Sequence, residues 1–170
     1  MTMDAQKKPT ILVVDDNPNN LVLISNLLKQ EYRVKVANNG EAALRIAGAV
    51  EQPDLVLLDI MMPEMDGYEV CRRLKAEPRL RDIPVIFLTA RTAIDDEERG
   101  LELGAVDYIT KPISPPVMLA RLRTHLKLKA SADFLRNKSA FLEEEVRRRM
   151  HEVLAVQDVT IEMMASLAET

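Results

Sequence analysis

Three carboxylates, a hydroxyl and an ammonium close the apolar runs of this sequence. Asp15 and Asp16 end ILVVDD, Asp59 ends LVLLD, Thr89 ends PVIFLT, and Lys111 ends VDYITK. In an open parallel sheet, side chains at the carboxyl ends of neighbouring strands converge on one crevice, where ligands bind. If these runs are such strands, three like charges meet in a small space, which raises a pKa or recruits a cation. Oxygen-only donors favour Mg²⁺, which keeps several waters and takes one or two carboxylates plus a phosphate oxygen. Such a corner accepts a phosphoryl group. A carboxylate attacks phosphorus to form an aspartyl phosphate, the metal neutralises charge on the transferring group, and Lys111 and Thr89 contact its oxygens. Asp59 lies centrally and is the best nucleophile, while Asp15 and Asp16 hold the metal directly or through water.

Each of these residues also has a plainer explanation. Asp15, Asp16 and Asn17 could merely open a helix after Pro18, and Asp59 could be a turn acid before Pro63 and Asp66-Gly67. Thr89 alone would be a satisfied strand-end hydroxyl, and Lys111 alone a surface lysine. One functional group per strand end is the arrangement that favours the site over these separate readings.

The elements needed to position this corner follow from periodicity. Short apolar runs alternate with segments of helical period, the pattern of a parallel sheet covered by helices on both faces. Strands are expected at 10–14, 33–37, 55–58, 85–88 and 107–109, with helices near 19–31, 40–49, 67–76 and 95–103. Three of the strands are nearly continuous Val, Ile and Leu, as expected where both faces are covered. Aromatic residues make up only 4% of the chain and Trp is absent, so the core must be aliphatic.

Composition narrows the function classes. A formal net charge of -4 leaves no excess of Lys and Arg to neutralise a long phosphate backbone, which argues against direct nucleic-acid binding. The single Cys71 excludes an intramolecular disulfide and reads as a small core residue. No segment approaches the roughly 18 uninterrupted apolar residues of a membrane span, and 1–9 is too polar for a signal peptide, so a cytoplasmic location is expected. VVDDNPNN places two acids and no glycine where a nucleotide-cradling loop needs unopposed backbone N–H groups. An aspartyl-phosphate phosphatase would share the acidic corner, but the sequence shows no insertion that would cover a substrate.

After Ser114, Pro115 and Pro116, no Pro or Gly interrupts the chain as far as Thr170, so one helix can run that far. A seven-residue register places Leu128, Leu135, Leu142, Arg149, Val156 and Met163 at one seam position. Ala132, Ser139, Val146, Val153, Thr160 and Leu167 occupy the other. Most are apolar, which suggests a coiled coil and a parallel dimer. The alternative is a helix that folds back onto its own domain or onto further sequence. LEEEVRRRMHE, at 142–152, reads as a solvated charge block, and His125 and His151 read as solvent-facing residues, not metal ligands.

From about Thr10 to Lys127 the chain resembles the receiver domain of a two-component response regulator. The resemblance rests on the Asp15-Asp16 pair, LLDIMMPEMDG around Asp59, LTA at Thr89 and TKP at Lys111. It implies an α/β fold, a doubly wound five-stranded parallel sheet of flavodoxin-like order 2-1-3-4-5. It also implies that Asp59 accepts phosphate from a histidine kinase, and that Asp15, Asp16, Asp59 and the backbone carbonyl of Met61 bind Mg²⁺. Thr89 and Tyr108 would be the switch pair, Lys111 would contact the phosphate, and Lys111-Pro112 is often cis in relatives. Met61 and Arg91, two residues past site positions, should overhang the phosphate and tune the rate of its loss. Neither is a carboxylate or amide able to orient a water, so slow self-dephosphorylation is expected.

EVLAVQDVTIEMMASLAET, at 152–170, is similar to the connecting helix and opening residues of the HD-GYP cyclic-di-GMP phosphodiesterases. That family's metal-binding residues have no counterpart in this stretch. The resemblance therefore implies a regulatory segment: a disordered N-terminus over 1–9, a receiver over 10–127, and a helical linker or coiled coil over 128–170 leading to an output domain. The chain itself would not be an independent enzyme. A pseudo-receiver that acts mainly as a dimerisation module is the alternative.

Overall fold

Residues 11–14, 55–58 and 85–88 carry no polar side chain and are almost wholly excluded from solvent, so they form the centre of a sheet with both faces covered. The computed structural model describes residues 7–90 and 94–169, with side chains for all of these except 94–97. The elements run β1 (Thr10–Val14), α1 (Pro18–Leu28), β2 (Arg33–Ala37), α2 (Gly40–Ala47), β3 (Leu55–Asp59), α3 (Gly67–Ala76), β4 (Val85–Ala90), α4 (Ile94–Glu102), β5 (Asp107–Lys111) and α5 (Pro115–Ala168). All strand pairs are parallel, in the order β2-β1-β3-β4-β5. This is the expected doubly wound sheet of flavodoxin-like order 2-1-3-4-5, followed by a long C-terminal helix.

The two-residue period of the strands sorts the core into two layers. Leu12, Val14, Val56, Leu58, Val85 and Phe87 face α2 and α3, whose Ala43, Ala47, Val70, Cys71 and Leu74 complete that cluster. Ile11, Val13, Leu55, Leu57, Ile86 and Leu88 face the other way, toward Leu21, Ile24 and Leu28 of α1 and Met118 and Leu122 of α5. Cys71 is buried and free. Phe87 meets Tyr68 edge-on, with ring centroids 5.5 Å apart, and the guanidinium of Arg99 lies 4.5 Å from the Tyr68 ring centre.

Three helices begin on side chains that accept a backbone N–H from the first turn. Asn17 caps α1 through Asn19, with Pro18 following; Asn39 caps α2 through Ala42; Asp66 caps α3 through Glu69. The strand ends differ from the sequence expectation. β3 includes Asp59, β4 runs to Ala90 and β5 to Lys111, because parallel pairing continues past the last apolar residue: Asp59 pairs with Leu88, Thr89 with Thr110 and Ala90 with Lys111. Helix α1 stops at Leu28, not near Glu31, because the N–H groups of Glu31 and Tyr32 both turn back to the Leu28 carbonyl. Residues 1–6 of the expected disordered N-terminus lie outside the described residues; Pro9 is held by the Arg33 N–H.

The chain divides into two units, Met1–Lys129 and Ala130–Thr170. The second is helical, and its seam residues Leu135, Leu142, Val146, Val153, Val156, Met163 and Leu167 are all more than half exposed. Its charge block is laced along the helix: Arg147 meets Glu144, and Arg148 and Arg149 both meet Glu145. Among the described residues, no helix is long and apolar enough to cross a membrane.

Candidate functional site

Parallel pairing in register brings the ends of β1, β3 and β5 to one edge of the sheet. Asp15 follows the last residue of β1, Asp59 is the last of β3, and Lys111 is the last of β5. Asp15 is wholly buried and Asp59 is 4% exposed, while Asp16 is open to solvent. Each of the three offers a carboxylate oxygen, and these oxygens lie within 4.8 Å of one another. Lys111 Nζ bridges the two buried acids, 3.2 Å from Asp15 Oδ2 and 3.2 Å from Asp59 Oδ1.

The electrostatics follow from that burial. Removal from water pushes the Asp59 carboxyl above the ordinary carboxylate range; Lys111 opposes the shift, Asp15 adds to it, and the Met61 backbone N–H opposes it. Burial pulls the Lys111 ammonium down, but the charges of Asp59 and Asp15 outweigh this and hold it above its usual value. The centre therefore concentrates negative charge that one lysine only partly balances. Three hard oxygen donors around a common point, with no nitrogen or sulfur ligand in the cluster, fit Mg²⁺.

The remaining expected residues are placed less directly. Thr89 is 3% exposed, one residue beyond the partner of Asp59, and its hydroxyl donates to the Ala90 carbonyl at 3.3 Å. Tyr108 is half-buried on β5 opposite Phe87 and packs against the α2–α3 layer. The Met61 side chain is 77% exposed on the loop after β3. Arg91 lies outside the described residues. Lys111-Pro112 is cis.

Two contributors escaped the sequence reading. Gly67 is one: its N–H donates to the Ile60 carbonyl, and a Cβ there would fall on the Asp59 carbonyl and 2.8 Å from Ile60 Cα. Helix α3 can approach the back of Asp59 this closely only with glycine as its first residue. Asn20 is the other, since its amide reaches the buried Asp15 carboxylate. His125 corrects an expectation. It does not face solvent: its side chain is 15% exposed and Nε2 lies 2.9 Å from Asp107 Oδ2, while Arg121, one turn earlier on α5, holds Asp107 Oδ1 at 2.6 Å.

These features define a receiver-type switch, and comparison with known proteins gives the same family. Residues 11–123 match the response regulator receiver domain, and the chain belongs to that family. The whole chain is 49% identical to a Vibrio cholerae protein called "Probable cyclic di-GMP phosphodiesterase", covering 38% of its length. Over 131 residues it is 46% identical to the response regulator PleD of Caulobacter vibrioides, across 76% of this chain and 29% of that one. The chain thus spans well under half the length of these relatives. Among solved structures, the receiver domain of a sensor histidine kinase from Pseudomonas aeruginosa PAO1 matches with a TM-score of 0.65 at 33% identity, over 70% of this chain and 98% of that one. That domain was solved with a magnesium ion coordinated in its active site cleft. Receiver domains take phosphoryl groups from histidine kinases, and this chain is the receiver of a phosphorylation-dependent response regulator.

Proposed function

We propose that Asp59 is the phosphoacceptor and that its phosphorylation is relayed through α5 to an output module. The observation that carries this is the bridge of Lys111 between the buried Asp15 and Asp59. A buried carboxylate beside a cation that can follow its charge is built to change charge state. An Asp59 oxygen attacks phosphorus, an O–P bond forms, and the P–N bond to the donor histidine breaks with its electron pair left on the imidazole nitrogen. Asp15, Asp16, Asp59 and the Met61 carbonyl would hold Mg²⁺, which supplies charge neutralisation on the transferring group. Lys111 then contacts the phosphoryl oxygens, Thr89 turns its hydroxyl from the Ala90 carbonyl toward them, and Tyr108 moves with it as the second half of the switch. Met61, exposed on the loop after β3, and Arg91 by its residue type offer no carboxylate or amide to orient an attacking water, so the phosphorylated form is long-lived.

On this reading 10–127 is the receiver and 128–170 a linker that forms a parallel homodimeric coiled coil. The exposed apolar seam from Leu135 to Leu167 supports the pairing. The resemblance of the whole chain to part of the Vibrio cholerae protein supports a cyclic-di-GMP phosphodiesterase as the output. Light scattering on the chain, before and after acetyl phosphate with Mg²⁺, tests the assembly. A dimer mass in either state supports the linker reading, and a monomer in both overturns it.

A further inference from the structure

Asp15 is wholly buried, and its two oxygens have separate partners. Oδ1 accepts the backbone N–H of Asn17 at 2.9 Å. Oδ2 accepts two donors, the Lys111 ammonium at 3.2 Å and the side-chain amide of Asn20 at 3.0 Å. Asn20 is half-buried in the first turn of α1, so the helix carries its amide to the carboxylate.

This shared acceptor sets a problem that phosphorylation must solve. Lys111 holds Asp15 and Asp59 together, and contact with a phosphoryl group on Asp59 draws it from Asp15. A buried carboxylate stripped of its donor carries a full desolvation cost. We propose that Asn20 is a positioning residue for the phosphoryl-transfer reaction, supplying the neutral donor that keeps Asp15 satisfied and oriented when Lys111 leaves it. A neutral amide does this without adding positive charge where a cation must bind. Without Asn20, Lys111 stays on Asp15, and its charge opposes Mg²⁺. The inference rests on Asp59 as acceptor and names the residue that frees Lys111 for it.

Partners that orient a metal-site carboxylate are worth about 10- to 100-fold in metal affinity or activity when lost. The chain has no Trp, so Mg²⁺ binding is best followed by calorimetry on the unphosphorylated protein. Asn20→Ala is expected to weaken Mg²⁺ binding about tenfold and to slow phosphorylation by acetyl phosphate by a similar factor. Asn20→Leu, which keeps the side chain's approximate size but has no donor, should behave alike. Asn17→Ala removes the helix cap yet leaves both donors to Asp15 Oδ2, and is expected to keep Mg²⁺ affinity within about twofold. Lys111 and Asn20 are the two side-chain donors to Asp15 Oδ2 among the described residues, so in a Lys111→Met background Asn20 is the one left and replacing it should still weaken Mg²⁺ binding by about tenfold or more. Unchanged affinity in both Asn20 variants, losses equal to those of Asn17→Ala, or an Asn20 effect that vanishes in Lys111→Met would each overturn the proposal. Failure of the wild type to be phosphorylated on Asp59 would instead remove the acceptor reading beneath it.

Discussion

Lys111 Nζ lies 3.2 Å from Asp59 Oδ1, and this contact ties the last residue of β5 to the last residue of β3 across the intervening strand β4. The lysine also reaches Asp15, so one ammonium holds two buried carboxylates that would otherwise repel. Replacing it leaves both acids buried without that compensation. Lys111→Met is therefore expected to lower stability by about 1–3 kcal/mol in metal-free buffer, with the deficit shrinking as Mg²⁺ is added. Urea unfolding with and without Mg²⁺ checks this; a deficit that Mg²⁺ leaves intact would show that the lysine acts by packing alone.

Gly67 lets α3 start against the back of Asp59, where a Cβ would fall on the Asp59 carbonyl. The atoms in the way are backbone, which cannot step aside as a flexible side chain can. Gly67→Ala should cost roughly 1–3 kcal/mol and slow phosphorylation, because relief requires moving β3 or α3. Thermal unfolding and the acetyl phosphate reaction are the two readouts. Wild-type behaviour in both would refute the close-approach argument.

The exposed Met61 side chain has no group that can orient water on an aspartyl phosphate. Met61→Asn supplies an amide at that position and should shorten the lifetime of the phosphorylated protein by at least about tenfold. The decay of the phosphorylated species after donor removal, followed by mass, measures this. An equal or longer lifetime would contradict the assignment of Met61 as a rate-tuning position.

Asp107 is gripped by Arg121 and His125 from the same face of α5. Burial would raise its carboxyl, but hydrogen bonds from His125, Arg121 and the Tyr108 N–H outweigh that and hold it below the ordinary aspartate range. A depressed carboxyl adds stability that is complete above the unfolded value and is lost as pH falls through the folded one. Wild type should therefore exceed Asp107→Asn in Tm at about pH 5 to 6, with the gap closing below about pH 4. A gap that stays constant into acid would mean the charged form contributes nothing.

Single cysteines at Val146 and Val153, placed in a Cys71→Ala background, test the linker. Both positions are more than half exposed along the helix. Parallel pairing predicts like-with-like disulfides at each position, and a relay through the coil predicts that their yields change on phosphorylation. Crosslinks in equal yield in both states would remove the relay, and their absence would remove the pairing.

Much of this could be read from the sequence because receiver chemistry is laid out one group per strand. Apolar runs such as LVLL and VIFL, short and flanked by polar or turn residues, mark buried strands, and each is followed by a residue of the candidate site. What the sequence hides is approach and sharing. Gly67 reads as an ordinary turn glycine beside Asp66 until α3 is seen packed on the Asp59 carbonyl. Asn20 is one of several asparagines near a helix start, and only its place in the first turn of α1 gives it Asp15. His125 misled for the same reason: its partner Asp107 is 18 residues earlier on another element, and no local pattern links the two.

Intact mass after incubation with acetyl phosphate and Mg²⁺ shows whether Asp59 accepts the phosphoryl group. A single phosphate-sized addition is expected on the wild type and none on Asp59→Asn, with the addition lost when Mg²⁺ is chelated. An addition that survives Asp59→Asn, or none on wild type with Mg²⁺ bound, would contradict it.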